Sequence, residues 1–194
     1  MKPIPASTKA GLYLGRIREE VPALPLLWAG GRASWPAGEL GLATDEELVG
    51  VRPSDPDMVA ALRGGLLLRA DLFEEPHAIF QGIPAPTGSY WHGIAHRREP
   101  DFSNARYWFR RAGDHPFFET LFAEIESLFR RPGGEWRGEA LERIVRLGRW
   151  DPVAFANLCE ECVEGERPGL LRELESIQEL EIELLLSYCY AHAV

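Results

Sequence analysis

The chain twice writes aspartate-proline ahead of an apolar run, at Asp55-Pro56 and at Asp151-Pro152. The carboxylate accepts from the free N–H groups of a first helical turn, and proline at the first helical position lacks the N–H that would go unpaired. Asp101 and Asp114-Pro116 give related start signals, while Gly113, Gly148 and Gly165 stand where helices should stop. Between start and stop, apolar residues recur at helical spacing. Phe118, Leu121, Phe122, Ile125, Leu128 and Phe129 do so up to about Arg131, and Leu171, Leu174, Ile177, Leu180 and Leu184 do so after Pro168. No segment alternates in the manner of a strand with hairpin turns. The expected fold is all-α: an irregular, single-domain bundle of about six to eight helices.

Within that fold, residues 1–54 read as a loop-rich N-terminal wrapping segment and residues 55–194 as the helical domain, one domain overall at 194 residues. Pro22, Pro25, Gly30, Gly31, Pro36, Gly38 and Gly41 punctuate the first part too often for long elements. A helix over residues 7–20 and a capping box from Thr44 to Glu47 are its regular pieces. Further on, Gly64-Gly65 is expected to separate two helices, and residues 82–88 form a loop before a helix capped by Ser89. That helix must end near Glu99, because Pro100 disfavours helix in the residue before it. Residues 132–138 break the next long helix.

The formal net charge of −9 argues against nucleic acid and anionic membrane as partners. The apolar runs are far shorter than the roughly 20 residues of a membrane span, and the first residues carry no signal-peptide core. With three cysteines and no secretory signal, a cytoplasmic location is expected. Residues 157–183 hold nine glutamates against two arginines. They read either as a solvated helix face or as a surface for a basic partner, such as the arginines of a second copy in a homo-oligomer.

The chemistry concentrates between Thr87 and Glu119, which hold three of the five histidines and five arginines. On a helix, residues step about 100° around the axis, so His92, His96 and Glu99 share an arc beside the apolar side made by Tyr90, Trp91, Ile94 and Ala95. Histidines at i and i+4 sit about 5–6 Å apart at Cβ and suit one cation. His77, on the preceding element, is the expected third ligand, with Asp101 or His115 next in line. The cofactor is then a divalent metal, zinc or similar, and Glu99 is the candidate catalytic base on a metal-bound water. The HExxH form is absent, since Gly93 follows His92. The other reading has these histidines hydrogen-bonded to carboxylates and backbone at the core edge.

On the following helix Phe102, Ala105, Trp108, Phe109 and Ala112 form a core stripe, and Ser103, Arg106 and Arg110 align on another. Two stacked guanidiniums suit a small anionic ligand, with Arg97, Arg98 and Arg111 adding to the field. Internal pairing with nearby acids is the alternative. Cys159, Cys162, Cys189 and His192 make up either a Cys₃His zinc set or buried small hydrophobes.

The block containing HAIFQ, GSYWHGIAHRREPDFSNARYWFRR and GDHP, with the later WDPVAFANLCEE, resembles a family of uncharacterised bacterial and fungal proteins. The resemblance implies that the central block matters and supplies no reaction. NARYWFRRAGDHP is also similar to one helix of a TPR or Sel1-type repeat, but no second copy follows at that period. Two functions are expected from the sequence. One is a His/Glu/Arg-lined pocket for a small anionic ligand, held through a divalent metal. The other is a non-catalytic helical interaction or scaffold protein.

Overall fold

A computed structural model describes residues 3–30, 35–131 and 136–194. Among them all regular structure is α-helical, in eleven helices: α1 (Lys9–Glu20), α2 (Trp35–Leu42), α3 (Asp45–Val49), α4 (Pro56–Arg69), α5 (Glu74–Gln81), α6 (Pro86–Arg98), α7 (Phe102–Ala112), α8 (Phe117–Arg130), α9 (Glu139–Leu147), α10 (Pro152–Glu164) and α11 (Pro168–Ala193). The all-α class holds, and six to eight helices is an undercount. No helix among the described residues is long and apolar enough to cross a membrane.

The start signals act as their chemistry requires. Asp55 Oδ1 accepts from Asp57 N and Met58 N at 2.9 and 3.1 Å, and Asp151 Oδ1 accepts from Val153 N and Ala154 N at 3.0 Å. Thr44 and Glu47 close the capping box of α3. Three boundaries differ from the sequence reading. α4 runs unbroken through Gly64-Gly65, and α6 begins at Pro86, so it shortens the expected 82–88 loop and leaves Ser89 inside the helix. Residues 1–54 also carry three helices, including α2, which its proline and glycines had hidden. Gly31, and residues 132–135 of the expected break, lie outside the described residues.

The fold is organised on α6, which is buried from Thr87 to Arg98 on every side. It packs against α4, α5 and α7. Its side chains also reach α11, where Trp91 Nε1 lies 3.4 Å from Cys189 Sγ. Such enclosure needs close backbone approach. A Cβ on Gly65 would meet Trp91 at 2.7 Å, and one on Gly93 would meet the Phe109 ring at 2.5 Å. The clash explains the Gly64-Gly65 pair: it marks a helix crossing, not a helix break.

A helix sealed on all sides must pair every charge it carries. Arg97 meets Glu181 and Gln178 of α11, with the Tyr90 hydroxyl donating to the same carboxylate. Arg98 meets Asp71 and the Leu68 carbonyl. Much of the glutamate-rich stretch is likewise paired. Glu160 pairs with Arg106, and Glu161 with Arg143 and Arg167. Glu173 accepts from Leu141 N, and Glu175 from Leu26 N. Glu179 and Glu183 hold Arg69, and Glu181 holds Arg97. Seven of the nine glutamates therefore have partners within the protein; Glu181 is fully buried, while Glu161, Glu164 and Glu166 remain on the exposed surface.

Candidate metal centre

Helix α5, the turn after it and α6 carry His77 back over His92 and His96. The α6–α7 pair is antiparallel, in a register that sets Trp108 against His92 and Asn104 against His96. His92 and His96 are nearly parallel, with planes 14° apart and centroids separated by 4.9 Å. The His77 ring stands at right angles to both, at 88° and 85°. Its Nε2 lies 2.9 Å from His92 Nε2 and 3.4 Å from His96 Nε2. One ring nitrogen of each of the three histidines falls within 4.8 Å of the others. His92 and His96 are buried, and His77 is half-buried and forms the solvent side.

The surroundings fix the proton positions. The contact of His96 Nδ1 with Glu99 Oε2, at 3.2 Å, assigns the proton to Nδ1 and leaves a lone pair on Nε2. The Asn104 amide sits 3.1 Å from Nε2 and 3.5 Å from Nδ1 of the same ring. A contact in line with Nε2 would put Nδ1 much farther away, so the amide lies against the ring and leaves the lone pair aimed at His77. The pair at 2.9 Å shares one proton at most. Burial, with His77, His96 and Arg111 adding to it, pushes His92 down to about 3, so its ring is neutral near pH 7. Burial and His77 also lower His96, against the opposing pull of Glu99. At least two lone pairs thus face one point.

Each imidazole also has a backing group. Glu99 stands behind His96, and the Trp108 indole covers His92 at 3.9 Å. Phe73 stacks on His77 at 5.5 Å and is itself covered by Trp28 of the N-terminal segment. Trp28 is pinned there by its backbone N–H to Arg98 O and its indole N–H to Asp71 O. His92 Nδ1 is buried with no hydrogen-bond partner.

His77, His92, His96 and Glu99 are therefore brought together, with Glu99 beside a ring nitrogen that points away from the shared point. Ser103, Arg106 and Arg110 are not. Asn104, Trp108 and Arg111 face the cluster, and a 100° step puts positions 103, 106 and 110 on the other side of α7. Ser103 and Arg110 are exposed there, and Arg106 is held by Glu160 and Asn157 of α10. Trp108, expected in the core, is half-buried and lines the cluster. Asn104 and Trp108 had a legible signal, since an antiparallel return through residues 99–101 pairs 104 with 96 and 108 with 92; Phe73, at the start of α5, had none.

The reserve ligands do not join either. Asp101 caps α7. His115 accepts from Phe117 N at Nδ1 and donates from Nε2 to Thr87 Oγ1, so both nitrogens are committed. It lines a separate cleft of about 700 Å³ together with Phe118, Phe122 and Trp150. Cys159, Cys162, Cys189 and His192 share no common point among the described residues. The three thiols are buried, and burial pushes Cys159 and Cys189 up to about 12, as befits packed neutral groups. No protein-family model, curated protein or solved structure matches this chain.

Proposed function

We propose that His77, His92 and His96 bind one divalent transition-metal ion through their Nε2 atoms, and that its open fourth position takes water or a small anionic ligand. The observation that carries this is the convergence of three imidazole nitrogens from two helices on one point. Tetrahedral bonds of about 2.0–2.1 Å would place the ligand nitrogens about 3.3 Å apart. Two of the three separations, at 2.9 and 3.4 Å, bracket that value, and the third lies within 4.8 Å. Without a cation the His77–His92 pair can form one N–H···N hydrogen bond, and the His96 lone pair is left with only the longer 3.4 Å contact.

Three neutral imidazoles suit zinc, copper, nickel or iron and leave the ion its full charge. In such a site an open position acidifies bound water and polarises a bound carbonyl or phosphoryl oxygen, the chemistry of hydrolysis. Arg111, whose guanidinium lies over Trp108 and whose charge reaches His92, supports an anion as the ligand. Metal analysis of the purified protein, with and without His92→Ala plus His96→Ala, tests the reading. Stoichiometric metal lost in the double variant supports it, and equal trace metal in both sinks it.

The second reading is a non-catalytic helical scaffold. Arg106, drawn to Glu160 and away from the cluster, favours it. On that reading the double variant loses stability while wild type holds no metal and melts at the same temperature with or without zinc.

A further inference from the structure

Glu99 caps the C-terminal end of α6, where the helix dipole is negative and a carboxylate is poorly placed. The two arginines beside it give it no support, since Arg97 is committed to Glu181 and Arg98 to Asp71. Its one ionic partner within 4 Å among the described residues is His96, at Nδ1. The side chain is 43% exposed, so it fills no core space. A carboxylate that supports neither helix nor packing, and whose single charged contact is the rear nitrogen of an imidazole, has a role toward that imidazole. His92 offers a contrast within the same cluster: its Nδ1 has no acceptor, and behind the ring lies only the indole of Trp108.

We infer that Glu99 is the positioning residue of the metal centre, fixing His96 with its proton on Nδ1 and its Nε2 lone pair on the ion, and that it is neither a ligand nor the general base. This rests on the metal reading above. Accepting the Nδ1 proton holds the ring's rotation and tautomer, and the negative charge makes Nε2 a stronger donor to the cation. His96 becomes the firm ligand of the set and His92 the weak one.

The test loads wild type, Glu99→Gln and Glu99→Ala with Co²⁺ and measures affinity and the visible spectrum, alongside the melting temperature of each metal-free protein. Glutamine keeps an acceptor and loses the charge, while alanine loses both. Affinity should fall stepwise, reaching roughly 10- to 100-fold for alanine. The cobalt bands should shift, and the metal-free melting temperature should stay put. Unchanged cobalt affinity and spectrum in Glu99→Ala overturns the inference. So does a drop in metal-free stability as large as the loss of affinity, which would make Glu99 merely structural. Abolition of binding, as severe as in His96→Ala, would make Glu99 a ligand and also overturn it. Wild type that takes up no cobalt or zinc defeats the metal reading itself, and this inference with it.

Discussion

The indole of Trp108 lies flat against the imidazole of His92, with centroids 3.9 Å apart and planes 15° from parallel. Because His92 Nδ1 has no hydrogen-bond partner, this stack backs the ring on the side away from its 2.9 Å contact with His77. Trp108→Ala should therefore weaken metal binding by roughly tenfold, as loss of an outer-shell partner does. The same contact makes Trp108 a reporter. Cu²⁺ should quench part of the tryptophan emission in wild type and distinctly less in Trp108→Phe. Equal quenching in the two proteins would count against an ion at His92.

How much of this was legible in the sequence follows from what each signal encodes. Caps and stops are local, so Asp55, Asp101, Asp151 and Gly148 placed their helix ends correctly. His92 and His96 were legible as a pair because i and i+4 share a face on any helix. His77 followed from a short connection between neighbouring helices. What was not legible depends on partners. Helical periodicity says which residues align and not which face meets what, so Arg106 and Arg110 were assigned to the ligand while α7 in fact turns Asn104 and Trp108 toward the histidines. Nor does a run of glutamates reveal that arginines and backbone amides distant in sequence will claim it.

Gly93 shows why the HExxH pattern has no place here. A Cβ at this position would meet the Phe109 ring at 2.5 Å, and Phe109 is itself buried beside Tyr90 and Arg97. The ring cannot swing aside, so Gly93→Ala must push α7 away from α6. The expected cost is about 1–3 kcal/mol, the range for overpacking a core. It should appear as a lower urea midpoint, together with weaker metal binding as Trp108 leaves His92. A variant of wild-type stability would mean that the two helices pack less tightly than described.

Arg97 and Glu181 form a wholly buried ion pair, joined by the Tyr90 hydroxyl and Gln178, with only Arg97 Nε of the guanidinium left without a partner. Removing one charge strands the other in a low-dielectric interior, so Glu181→Gln should cost about 3–5 kcal/mol. Replacing both partners, as Arg97→Met with Glu181→Leu, should cost clearly less than the single change, because no uncompensated charge remains. Thermal melts of the three proteins decide the matter. If the double variant is the least stable, the pair is net stabilising in its own right.

Stability should also fall in mild acid, and His115 supplies a defined part of the slope. Its Nδ1 accepts from Phe117 N and its Nε2 donates to Thr87, so the folded protein holds the neutral ring. Burial, with a smaller push from His192, lowers it to about 4 from an ordinary value of 6.5. The unfolded chain therefore binds a proton in the interval where the folded chain does not. That makes the slope of unfolding free energy with pH positive between those two values. The contribution is fully present above pH 6.5 and is lost progressively as the pH falls toward 4, with a ceiling of about 3 kcal/mol for a shift of this size. His115→Gln should be less stable at pH 7.5, having broken one of the two hydrogen bonds, yet lose less than wild type between pH 7 and pH 4.5. Parallel pH profiles for the two proteins would show that the His115 ring is already charged in the fold, contradicting the donor and acceptor roles its neighbours assign.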